Sequence, residues 1–135
     1  MADNFNFELV SPERLLLSEK VSEVVIPATD GEMTVMANHA PVMTTIKPGV
    51  VSVKSVSGQV TKYVVFGGFA DIIPSGCTLL AESAVPLTEL NRESLTRRIE
   101  AARADIDKTD NHENKTRLEQ YLMELTQLNG IVVPA

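Results

Sequence analysis

Two different spacings of apolar residues divide the chain. In residues 5–9, Phe5, Phe7 and Leu9 alternate with Asn6 and Glu8, the period of a strand that buries one face. Further apolar runs, most of them containing valine, follow at 21–26, 33–36, 42–46, 50–56, 60–66 and 77–81. Turn signals separate them: Ser11-Pro12, Asp30-Gly31, Lys47-Pro48-Gly49, Ser57-Gly58, Gly67-Gly68 and Pro74-Ser75-Gly76. The spacing predicts about eight to ten short strands, arranged as an all-β sandwich or flattened barrel.

Beyond residue 86 the period changes to that of a helix. Leu95, Ile99, Ala102 and Ile106 recur at steps of four, three and four, as do Leu118, Leu122, Leu125 and Leu128 at similar steps, with Tyr121 alongside. Glu93/Arg97, Arg103/Asp107 and Glu113/Arg117 set opposite charges one turn apart. Asp110 followed by Glu113 resembles a helix start, and Asn129-Gly130 a helix stop. The expectation is an antiparallel α-helical hairpin that bends near residues 109–112. Its apolar stripes are narrow, so it should be weakly held and able to change position.

Composition sharpens the boundary. Six of seven glycines, six of seven prolines and fourteen of sixteen valines lie at or before residue 86, and none of the three types occurs in residues 87–129. Glycine and proline punctuate turns, while valine favours strands over helices. The predicted division is a β-sandwich domain over residues 1–86 and a helical hairpin domain over 87–135.

Charge and cysteine content narrow the function. A net charge of −6, with the basic residues dispersed among acids, lacks the footprint of a nucleic-acid binder or of a protein held on anionic lipid. No apolar run approaches the roughly 20 residues that cross a bilayer, so direct membrane insertion is not expected. Met1-Ala2-Asp3-Asn4 does not read as a secretory leader. The single cysteine, Cys77, excludes an internal disulfide framework and reads as a small apolar strand residue.

Catalytic motifs are missing. The chain has no phosphate-cradling glycine loop, no serine elbow and no zinc-binding cysteine pair. Glu32 and His39 could be imagined as an acid–base or metal pair, but no further ligand accompanies them. The expectations are no catalytic residues, no metal and no cofactor. The stretch from 24 to 49 is the more distinctive: an acidic turn, a short strand, an Asn-His-Ala-Pro loop and a Lys-Pro-Gly turn, all capable of sharing one rim of a β domain.

Those residues resemble the ε-subunit family of bacterial F-type ATP synthases, equivalent to mitochondrial δ. The family's ordered pattern stands here as Gly31-Glu32-Met33-Thr34-Val35-Met36-Ala37-Asn38-His39-Ala40-Pro41, then Ile46-Lys47-Pro48-Gly49. Val10-Ser11-Pro12, Gly67-Gly68-Phe69 and Leu79-Leu80-Ala81-Glu82-Ser83-Ala84 extend the likeness along the chain.

The resemblance implies a ten-stranded sandwich and a helix pair in the central stalk, a rotor subunit with no active site of its own. Its partners would be the γ subunit and the c-ring, with the α and β subunits reached by the hairpin, on the cytoplasmic face of the bacterial inner membrane. By position, Asp30, Gly31 and Glu32 would face the c-ring, and His39, Pro41 and Thr44 would face γ. The hairpin would hinder ATP hydrolysis when extended.

Some members of the family bind ATP through an Ile/Leu-Asp-x-x-Arg-Ala pattern. In register, Leu90-Asn91-Arg92-Glu93-Ser94-Leu95 lacks both its Asp and its Arg; a later approximation leaves Glu100 and Arg103 as the nucleotide-binding candidates. ATP is therefore not expected as a ligand. The alternative from another class is a free-standing ligand-binding β-sandwich with a helical dimerisation arm, although four Phe, two Tyr and no Trp supply few aromatics for such a pocket.

Overall fold

A computed structural model describes residues 4–90 and 92–132, and for Arg92, Ile131 and Val132 the backbone alone. The readings of Met1-Ala2-Asp3 and of Asn91 lie outside these residues. The chain forms two compact units, residues 1–87 and 88–135.

The first unit contains seven strands: β1 (Phe5–Val10), β2 (Leu15–Ala28), β3 (Gly31–Met36), β4 (Val42–Ser55), β5 (Val60–Ile73), β6 (Gly76–Ala81) and β7 (Ala84–Pro86). Three of them are 14 residues long and pass from one layer to the other. The first layer is built from β1, β6 and residues 15–21, 42–46 and 68–73. The second is built from β3, β7 and residues 23–28, 48–55 and 60–66. Counted by segment, the expected ten strands are present as five in each layer. All pairings are antiparallel except β1 with β6, and the β1–β2 pairing closes the circuit.

Two signals expected to end strands instead bend them. β4 and β5 keep one register from Val42↔Ile72 to Lys54↔Val60, straight through Lys47-Pro48-Gly49 and Gly67-Gly68. Gly67 and Gly68 have φ of +118° and +133°, which turns β5 the corner at little cost only because neither has a Cβ. A Cβ at Gly68 would also overlap the carbonyl oxygen of Leu80. At the facing corner, a Cβ on Gly49 would lie 2.6 Å from that of Pro27. Pro27 is tolerated inside a strand because the β2–β4 register slips between Val25 and Ala28.

The layers enclose a continuous core. Phe7, Leu9, Val21, Val24, Ile26, Val51, Val65, Ile72 and Leu79 are all fully buried in it.

The second unit is an antiparallel pair, α1 (Arg92–Lys108) and α2 (His112–Val132), preceded by a single 3-10 turn at Leu87–Glu89. Of the eight predicted stripe residues, Leu95, Ala102, Leu125 and Leu128 are buried. Ile99, Ile106, Leu118 and Leu122 are half-buried. Burial thus thins toward the bend. Glu93 and Arg97 close as an exposed ion pair at 3.8 Å.

Both predicted ends of α2 shift. Asn111, not Asp110, caps it: the Asn111 Oδ1 accepts from the amides of Glu113 (2.9 Å) and Asn114 (3.2 Å). At the far end α2 runs through Asn129-Gly130 to Val132. Gly130 is not among the positive-φ residues that end helices in a left-handed cap.

Candidate functional site

The acidic turn is set by the β2–β3 hairpin. β2 ends at Ala28, opposite Gly31, leaving Thr29 and Asp30 as the connecting pair. Gly31 has φ of +132°, which admits the sharp reversal, and open space where a Cβ would be. Asp30 and Glu32 are exposed. Among the described residues, no Lys, Arg or His lies within 4 Å of either carboxylate.

The turn is tied to β4, one residue past the Ala28↔Ile46 pair. The Thr45 carbonyl oxygen accepts from the Thr29 amide at 3.1 Å and from the Thr29 Oγ1 at 3.0 Å. The Thr44 Oγ1 leans on the same oxygen at 3.4 Å. Thr44, half-buried on β4, thus belongs to this end of the molecule.

His39 and Pro41 do not. β3 carries the chain about 17 Å from Gly31 to Met36 before their loop begins. Asn38 takes φ of +65°, and its amide donates to the Pro74 carbonyl at 2.9 Å, pinning the loop to the β5–β6 turn. His39 places Nδ1 2.8 Å from the Ala40 carbonyl oxygen, a local bond rather than a contact with Glu32. The structure therefore separates the imagined Glu32/His39 pair to opposite ends of β3. Among the described residues, no group of three or more His, Cys, Asp or Glu could hold a metal ion.

Glu100 and Arg103 are both exposed on α1, three residues apart on one face. Among the described residues no helix is long and apolar enough to cross a membrane. Cys77 is buried, and burial, reinforced by the Asp71 carboxylate, pushes its thiol up to about 12.

One surface was not anticipated from the sequence. In register across the outer face of the first layer stand Phe69, Leu80, Val10 and Leu15. Phe69 is 50% exposed, Leu80 46% and Leu15 54%. The flanking row is polar: Asp71, Thr78, Glu8 and Ser18. The available signal was a break in alternation, since Leu79-Leu80 and Leu15-Leu16-Leu17 put apolar residues on both faces of their strands. An apolar row rimmed by polar residues marks a contact face.

The chain combines a two-layer β domain bearing an acidic turn with a helical hairpin, and comparison with known proteins identifies that combination. The description "ATP synthase, Delta/Epsilon chain, beta-sandwich domain" matches residues 4–87. The ATP synthase epsilon chain of Rhizobium etli is 74% identical over 132 residues, covering 98% of each chain. That of Rhizobium meliloti is 70% identical over 135 residues, covering all of both.

Among solved structures, a chain of the Euglena gracilis mitochondrial ATP synthase, in an OSCP/F1/c-ring assembly, superposes with a TM-score of 0.74 at 27% identity, over 96% of this chain and 81% of that one. A chain of the Tetrahymena thermophila central stalk and c-ring, at 13% identity and a TM-score of 0.59 over 93% of this chain and 96% of that one, shares the fold. The chain belongs to the ATP synthase delta/epsilon family.

Proposed function

We propose that the chain is a non-catalytic subunit of the central stalk of the F1Fo proton-translocating ATP synthase, joining γ to the c-ring so that proton flow is coupled to ATP synthesis. The carrying observation is likeness to epsilon chains over the whole length, hairpin included. The acidic turn of Asp30, Gly31 and Glu32 is the c-ring contact: it is exposed, rigidly held and negatively charged, which suits the basic polar loops expected of a c-ring. His39, Pro41 and Thr44 contribute to the γ side, and the outer row of Phe69, Leu80, Val10 and Leu15 supplies apolar area for the same partner. The complex lies on the cytoplasmic face of the bacterial inner membrane.

The hairpin is the regulatory element. With few buried anchors, it can extend toward the α and β subunits and hinder hydrolysis. Nucleotide binding through Glu100 and Arg103 is not part of this reading, because the residues at the corresponding positions do not reproduce the ATP-binding pattern.

The test is removal of residues 87–135 from the subunit within the reconstituted synthase, with ATP hydrolysis and ATP-driven proton pumping measured together. Pumping largely survives and hydrolysis rises or holds. Complete loss of assembly would contradict the division of labour between the two units.

A further inference from the structure

We infer that Thr29 is a positioning residue for the acidic turn, fixing the direction in which Asp30 and Glu32 are presented to the rotor ring. The inference rests on the reading of that turn as the c-ring contact. A two-residue connection between β2 and β3 would by itself swing about its two strand ends, because β3 is held on one side only, by β2. Thr29 removes this freedom by donating twice, from its amide (3.1 Å) and its Oγ1 (3.0 Å), to the carbonyl oxygen of Thr45.

The acceptor is well chosen. Thr45 lies in the first layer, paired across to Phe69, whereas β3 lies in the second. The amide bond continues the β2–β4 pairing one residue past Ala28↔Ile46, and the Oγ1 bond is the added tie that holds the turn itself to β4. The amide bond would survive any substitution at residue 29 except proline, so the side-chain hydroxyl is the separable part of the clamp. Next door, Asp30 and Glu32 flank Gly31, whose φ of +132° suits glycine and allows the reversal. Holding Thr29 restrains the turn that carries both carboxylates. A fixed anionic pair loses less freedom on docking than a swinging one, and that difference appears as affinity.

The experiment adds the full-length chain back to inner-membrane vesicles whose synthase has been stripped of this subunit. The readout is the concentration giving half-maximal recovery of ATP-driven proton pumping. Thr29→Val keeps the shape and removes the hydroxyl, and Thr29→Ser restores it. One hydrogen bond of ordinary net strength predicts about a threefold to tenfold higher half-maximal concentration for Thr29→Val, and near wild-type behaviour for Thr29→Ser.

Hydrogen exchange of the 28–33 segment in the free full-length chain should rise for Thr29→Val and stay unchanged for Thr29→Ser. Unchanged exchange in Thr29→Val overturns the positioning role regardless of the ring. A double Asp30→Asn/Glu32→Gln variant separates the two levels. If it weakens recovery while Thr29→Val does not, the contact stands and the positioning role is lost. If it recovers pumping as wild type does, the contact reading itself falls, and Thr29 has nothing to present.

Discussion

The two units differ in how many layers of constraint hold each residue. In the sandwich, a residue such as Val24 is paired on both sides, to Val35 and to Val53, and is fully buried as well. In the hairpin, backbone bonds are made within each helix, and among the described residues four apolar side chains are buried. Loss of tertiary packing would leave the strands with no partners, whereas the helices would keep most of their hydrogen bonds. A sheet of this kind is rigid or absent, while a hairpin can open and remain helical. This difference suits the proposed division between gripping and regulating.

The largest effect that would break the contrast is at the sandwich corner. Gly68→Val places a side chain against the Leu80 carbonyl and demands a strained backbone, so it should cost more than ~3 kcal/mol and remove the cooperative thermal transition of the β unit. Circular dichroism should still report helix. Loss of both signals together would show that the units are not separable.

A core truncation comes next. Phe7→Ala, in the sandwich core, should cost about 3–5 kcal/mol in denaturant unfolding. Leu125→Ala should cost ~2–3 kcal/mol, at the low end for such changes, because much of the stripe around it is half-buried and free to close the gap. Equal costs would erase the proposed difference in packing.

Alkaline pH sharpens the comparison further. The Cys77 thiol sits at about 12 in the folded chain against an ordinary value of 9.0. Burial, then Glu19, also raises Tyr63. Because these folded values exceed the unfolded ones, the stability that they contribute is complete below pH ~9 and is lost as pH rises toward about 12. Stability of the β unit should therefore fall over that window at up to ~1.4 kcal/mol per pH unit for Cys77. Cys77→Ala should flatten the fall, and the hairpin, which carries neither group, should not follow it.

The smallest effect lies at the bend. Asn111→Ala should cost ~1 kcal/mol of helix stability while Asp110→Ala costs little, as read by amide exchange in the first turn of α2. The reverse result would restore Asp110 as the cap.

Much of this organisation was legible in the sequence, for identifiable reasons. The disappearance of glycine, proline and valine beyond residue 86 reports a change of backbone class, which depends on local preference. The sharp bends of β4 and β5 were not legible, because Pro48, Gly67 and Gly68 look the same whether a strand stops or turns a corner. Only the register of the partner strand distinguishes the two, and register is non-local. Asn111 was overlooked for the opposite reason: Asp110, Asn111 and the following residues offer two plausible caps one position apart. At the acidic turn, Asp30, Gly31 and Glu32 announced themselves by type. Thr29 did not, since its importance comes from Thr45, sixteen residues away on β4.

The three strands that belong to both layers have a mechanical consequence. In a sandwich whose layers are linked only by loops and side-chain packing, a twisting load is resisted by weak forces, and one sheet can slip over the other. Here β2, β4 and β5 run covalently from layer to layer, so slippage would have to stretch peptide bonds or unzip long ladders. A part built this way transmits torque with little give, as a coupling between a turning ring and a turning shaft requires.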